Sequence, residues 1–239
     1  MSSSAPSVEV IDFADLAALS CPPSVLAAVA RGFGPDGLGL VLVRGAPGYA
    51  AARAACLPQA FRFGALPPAT RARYEHAASS FSFGWSHGRE RLDGKPDVAK
   101  GSFYANPGFD APAEGDEAAR FPSFFSPNIW PSEADAPGFE ADFKALGRAL
   151  VGVGLLLSRA VDAHVRAALP AYGDGGAGGA SLEEVVARSR NAKAGGAEGP
   201  PSPLGGARRQ PTDPTTARRG AARHAAGGGG GGGDGGAGR

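Results

Sequence analysis

His87 and Glu90 form the most metal-like pair in the sequence, an imidazole and a carboxylate separated by Gly88 and Arg89. A stable site needs further donors, and no second histidine stands at ligand spacing. The surrounding SHGRERLDG is rich in glycine and arginine, so the expectation is an exposed loop histidine. His76 and His164 fall in helical patterns among Ala, Arg and Glu and are expected on helix flanks, while His224 is expected to be solvated. The only cysteines, Cys21 and Cys56, form no Cys-x-x-Cys arrangement. That spacing excludes a zinc knuckle or disulfide scaffold and points to reduced thiols in an intracellular protein. Cys56 lies on the apolar side of a helical stretch, where an inert core thiol is expected. Ser86 and Ser102 lack the flanking glycines of a nucleophile elbow. GDGGAG (173–178) matches a dinucleotide fingerprint in letters. It follows a helix rather than a strand and has no acidic partner at the required distance, so it reads as a loop.

KGSFYANP offers a different chemistry. Lys100, Ser102, Tyr104 and Asn106 alternate along it. On an extended segment all four would face one way, a row of hydrogen-bonding groups beside a cation. The competing reading is structural: Phe103 and Tyr104 pack, while Lys100 and Asn106 serve turns.

These residues must be held by elements that the periodicity indicates. SVEVIDF (7–13) alternates as a strand does. Pro22 and Pro23 open a helix with Val25, Leu26, Val29 and Phe33 on one side. LGLVLVRG (38–45) is a continuous apolar run, expected to be a strand buried on both faces. Residues 49–63 form an Ala-rich helix that gathers Ala52, Cys56, Ala60 and Phe63, and LPPATRARYEHA reads as a turn and another helix. From Phe81 to Trp130 aromatics are dense but neither period holds, which suits a loop packed by its own rings or a set of short strands. From 137 to 169 the period is helical again, with Phe139, Phe143, Leu146, Leu150, Val153, Leu157, Val161 and Val165 on one stripe. Ser181 with Glu184 has capping-box spacing and opens a last helix, expected to run to Lys193. The fold class is therefore α/β, mainly helical with a few short strands.

The chain has 239 residues and a net charge of +1, which argues against a dedicated binder of nucleic acid or acidic membrane. MSSSAPSVEV lacks the features of a secretory signal. The longest apolar run, Ala149 to Leu157 between Arg148 and Arg159, is far short of the roughly 20 residues of a membrane span. A cytoplasmic protein is expected. All Phe, Trp, Tyr, Ile and Cys fall within residues 1–193, and residues 194–239 hold one leucine and no aromatic. Two regions follow: a globular region over 1–193, and a Gly/Pro/Ala/Arg-rich tail over 194–239 expected to be disordered. ARRG and TARRGAARH in the tail contain no RGG triplet and no aromatic neighbour, so they argue weakly for RNA and better for an inert or read-through segment.

Several stretches together resemble the amino-terminal portion of the 2-oxoglutarate- and Fe(II)-dependent dioxygenases, the isopenicillin-N-synthase-like superfamily. VEVIDFADL is similar to that family's opening strand, GLGLVLVRGAP to its next strand and turn, and ALPPATRARY to the segment after its following helix. SFGWSHGRERLDGKPDVAKGSFYANP and NIWPSEADAPGFEADFKALG resemble an uncharacterised plant and algal branch. The resemblance covers about residues 8–193. It implies that intact relatives hold Fe(II) with a His-x-Asp/Glu pair and a distant His on a jelly roll. They would bind 2-oxoglutarate through Arg-x-Ser and oxidise a small organic substrate. It also implies that Lys100, Ser102, Tyr104 and Asn106 lie where the amino-terminal region borders the active-site mouth and are candidate substrate contacts.

Here the counting fails. Two positions after the four histidines stand Ala78, Arg89, Arg166 and Ala226, and no arginine has serine two positions later. The expectation is a truncated family member whose jelly roll is missing, with no catalytic, cofactor-binding or metal-binding residues of its own, neither Fe(II) nor 2-oxoglutarate bound, and no activity alone. The alternative is a non-catalytic interaction module. Either way an apolar face left without its partner would favour self-association.

Overall fold

The structure is a computed structural model that describes residues 7–175 and 179–198. Strand β1 (Glu9–Asp12) leads through a single helical turn, α1 (Phe13–Leu16), to α2 (Pro23–Phe33) and then β2 (Val41–Arg44). β1 and β2 pair in parallel, Glu9 opposite Val41 through Asp12 opposite Arg44. α2 is the crossover, with Pro23 in its first turn, where a missing N–H costs nothing. Arg31 grips Glu9 with two hydrogen bonds of 2.9 and 2.8 Å, and Arg44 grips its cross-strand partner Asp12 in the same way. Helix and strand approach closely at Gly32, where a Cβ would stand 2.4 Å from Val41 Cγ1.

α3 (Tyr49–Gly64) and α4 (Pro68–Arg71) follow, then two 3-10 turns over Ala72–Tyr74 and Ala77–Ser79. The aromatic-rich middle resolves into β3 (Gly84–His87), the small hairpin β4 (Arg91–Leu92) and β5 (Lys95–Pro96), and β6 (Gly101–Ala105). Both expected alternatives are realised, since strands alternate with loops packed by rings. Single-turn helices α5 (Glu117–Arg120) and α6 (Pro122–Phe125) precede the long α7 (Phe139–Ala168) and α8 (Leu182–Arg188). The last element is β7 (Ala194–Glu198). β3, β6 and β7 form an antiparallel sheet with β6 central.

α7 spans 30 residues, about 45 Å at 1.5 Å per residue, and divides the core between its two ends. Near its start Phe139 and Phe143 pack with Phe63, Tyr74, Trp85 and Phe103. The Phe63 ring meets those of Tyr74, Trp85 and Phe103 edge-on at 5.3–5.6 Å between centroids. Near its end Ala160 joins Ile11, Leu16, Val25, Ala28 and Val29. Between these regions, burial along the expected stripe falls away: Leu146, Val153 and Leu157 are half-buried and Leu150 is exposed.

Four expectations need correction. β2 is not covered on both faces: Val41 and Val43 turn toward the core, whereas Leu40 and Leu42 are exposed because nothing among the described residues lies over that side. His76 is not on a helix, because α4 tightens into a 3-10 turn and ends before it. The last helix stops at Arg188 rather than Lys193, and the chain there becomes extended to reach the sheet. Residues 194–198 are ordered as β7, whose backbone pairs along the edge of β6. Residues 199–239, with His224 and the arginine-containing segments, lie outside the described residues, as do residues 176–178 of the GDGGAG loop.

Candidate functional site

Register decides which side chains share a face of the β3–β6 pair. Trp85 stands opposite Phe103, and Ser86 opposite Ser102. Trp85 and Phe103 turn into the aromatic core, so Ser86, Ser102 and Tyr104 take the other side. Close approach makes this possible. A Cβ at Gly101 would stand 2.0 Å from the Trp85 indole, and Gly84, with φ +70°, would place one 2.0 Å from Tyr74 O.

On this outer face Glu90 joins two of the residues singled out in the sequence. Its Oε2 pairs with Lys100 Nζ at 2.8 Å, and its Oε1 accepts from Tyr104 OH at 3.2 Å. The Lys100 hydrogen bond holds the Glu90 carboxyl below its usual pKa, and the same contact raises that of Lys100. Ser102 is buried between Lys100 and Tyr104 along the strand. Asn106 lies beyond the strand end and is also buried. Its Nδ2 donates to Arg190 O at 2.6 Å, and its Oδ1 accepts from the N–H groups of Gly108 and Phe109 at 2.9 and 3.0 Å. Lys100, Ser102 and Tyr104 thus belong to one surface, while Asn106 shapes the turn that follows.

Beside this surface opens a cavity of about 430 Å³, with Phe81, Ser86, Arg89, Glu90, Tyr104 and Lys193 on its walls. Arg89 donates to Glu75 at 2.6 Å and stacks over the Phe81 ring at 4.4 Å. Lys193 donates to Ser123 O at 2.8 Å and lies 4.5 Å from the centre of the Phe83 ring. Partial burial holds its ammonium below the usual lysine pKa. Sequence reasoning missed Arg89 and Lys193. Neither carries a local signal, since Lys193 reaches the cavity only because β7 joins the sheet.

A smaller apolar cavity of about 100 Å³ lies between α3, α7 and the start of β7, lined by Cys56, Phe103, Phe143, Leu150 and Gly195 among others. Burial pushes the Cys56 thiol up, away from thiolate chemistry. His87, expected on an exposed loop, instead ends β3 and is half-buried, with Nε2 3.1 Å from Val98 O. Among the described residues no three His, Cys, Asp or Glu side chains converge, so this donor set does not fit a facial-triad iron. No helix among them is long and apolar enough to cross a membrane.

No protein-family model matches the chain, and no curated protein matches it either. Solved structures do. A 2OG-Fe(II) oxygenase family protein from Caulobacter crescentus aligns with a TM-score of 0.50 at 22% identity, covering 68% of this chain and 50% of that one. A full-length Neurospora crassa protein in complex with alpha-KG aligns with a TM-score of 0.49 at 17% identity, covering 69% and 49%. The same Neurospora protein with alpha-KG and thymine gives 0.49 at 18%, covering 69% and 50%. The first of these likenesses places the chain's fold within that of the Caulobacter protein. The chain spans about half the length of each of these structures.

Proposed function

We propose that this chain belongs to the 2-oxoglutarate/Fe(II) oxygenase superfamily, in its plant and algal branch, and represents the amino-terminal half of such an enzyme. Intact relatives would oxidise a small organic substrate in the cytoplasm. The observation that carries the reading is the half-length match to the Caulobacter fold. Two features of the chain support it. The outer face of β1–β2 keeps Val10 and Leu42 in solvent, and the middle of α7 keeps Leu150 there, as surfaces made to be covered would. The sequence also holds neither His-x-Asp/Glu nor Arg-x-Ser.

In this reading Fe(II) and 2-oxoglutarate would be held by residues outside these 239, and no step of the oxidation runs through this chain's side chains. Its contribution is binding and orientation. Lys100 and Tyr104, ordered by Glu90, present a cation and a hydroxyl on one face where they would meet substrate polar groups, with Ser102 buried between them along the strand. Asn106 holds the strand end that positions Tyr104. The chain by itself is catalytically silent.

Metal analysis after anaerobic Fe(II) loading and desalting is the test. The expected result is far less than one iron per chain. One tightly held iron per chain would overturn the reading.

A further inference from the structure

The cavity beside β3 and β6 has an uncompensated charge. Arg89 is paired with Glu75, and Glu90 with Lys100. Lys193 remains, with no carboxylate partner among the described residues and one carbonyl accepting from an ammonium that has three donors. Ser86, Tyr104 and Phe81 share the cavity wall with it. Another stretch of the wall is strained. Ser80 and Phe81 both adopt positive φ, 53° and 60°, a conformation that a bulky side chain rarely takes. The surroundings hold them there: Phe81 N–H donates to His76 O at 3.1 Å, and Ser123 Oγ to Ser79 O at 3.0 Å. Strain of this kind persists only where the surroundings over-determine it, and it clusters at ligand sites.

We infer that this cavity binds a small organic carboxylate, with Lys193 as its charge partner and the Ser86 hydroxyl as a hydrogen-bond donor. The volume of about 430 Å³ is at the small end of ligand pockets, which run to roughly 1,000 Å³. A carboxylate would satisfy the N–H donors of Lys193 that Ser123 O leaves free. Phe81 and Ala77 supply an apolar wall for the rest of the molecule. This site uses the chain's own residues and does not depend on the oxygenase reading.

The test is titration of the full chain with benzoate, and in parallel with its uncharged analogue benzamide, followed by calorimetry and by the amide shifts of Ser86, Tyr104 and Lys193. Benzoate should saturate with a Kd on the order of 1 mM or below. Benzamide should bind at least about tenfold more weakly, as loss of a charge-assisted hydrogen bond requires. Lys193→Met, which keeps a side chain of similar length without the charge, should weaken benzoate by about the same factor and leave benzamide unchanged, while Lys193→Arg should retain most of the affinity. Absence of saturable benzoate binding, equal binding of benzamide, shifts confined to other surfaces, or full affinity in Lys193→Met would each overturn the assignment. The comparison of the two probes on the unaltered chain stands even if a variant fails to fold.

Discussion

The ring of Tyr104 lies against the backbone of Gly195, so closely that a Cβ at 195 would stand 2.7 Å from Tyr104 Cε1. The two residues are register partners in β6 and β7. A glycine-rich segment can therefore be a strand here because its backbone completes β6 and its missing side chains make room for the ring. Gly195→Val should displace either the ring or the strand, at a cost of about 1–3 kcal/mol. The denaturant midpoint should fall and amide protection at residues 194–198 should drop together. A variant with unchanged midpoint and protection would show that β7 contributes nothing to stability.

Asp162, buried in α7, accepts the N–H groups of Leu182 and Glu183 and the hydroxyl of Tyr172, each at 2.8 Å. Burial opposes its ionisation, but these donors outweigh it and hold its carboxyl below the usual value. The carboxylate ties the first turn of α8 to α7 where donors would otherwise be orphaned. Asp162→Ala should cost about 1–3 kcal/mol and release α8 first, seen as faster amide exchange over 182–188 than over α7.

Asp110 gives the chain an acid-labile contact. Burial works against its charge, yet hydrogen bonds from Lys144, Trp130 and Asn128 pull its pKa down to about 2. The Lys144 contact is 2.7 Å and that from Trp130 Nε1 2.7 Å. Because the folded-state pKa lies below the unfolded value of about 3.9, the stabilisation is complete above that value and is lost as pH falls toward 2. The carboxylate is partly exposed, so solvent screening limits the effect to about 1 kcal/mol. The stability gap between the native chain and Asp110→Asn should be present at about pH 6, shrink below about pH 4 and close only as pH falls through the folded-state value of about 2. A gap that persists in acid would show that Asp110 acts through packing alone.

Local signals made much of this fold legible. Helical period announced α3 and α7, Pro23 marked the start of α2, and the Ser181–Glu184 spacing marked α8, because each depends on residues a few positions apart. What the sequence did not reveal depended on distant partners. β7 has no strand-like composition and is a strand only because β6 offers an open edge. The apolar run at β2 suggested burial on both faces, yet burial depends on what lies above a sheet. At the candidate site, alternation placed Ser102 and Tyr104 on one face. It could not show that Glu90 would join Tyr104 to Lys100, or that Lys193 would arrive from the far end of the chain.

The two faces of the β1–β2 pair should respond oppositely to substitution. Ile11 is 3% exposed and packs with Val25 and Ala160, whereas the register partners Val10 and Leu42 are 47% and 49% exposed on the other side. Ile11→Ala removes a buried side chain and should cost about 2–5 kcal/mol. Val10→Thr combined with Leu42→Thr removes apolar surface that is already in water, so stability should change by no more than about 0.5 kcal/mol for each substitution. The same pair should lower binding of a hydrophobic dye and shift the chain toward monomer in sedimentation, because an apolar patch in water drives association. If the double variant instead lost as much stability as Ile11→Ala, the outer face would already be covered in solution, and the half-domain reading would lose its support from exposure. If stability held while dye binding and association fell, β1–β2 would be established as an open face of the isolated chain.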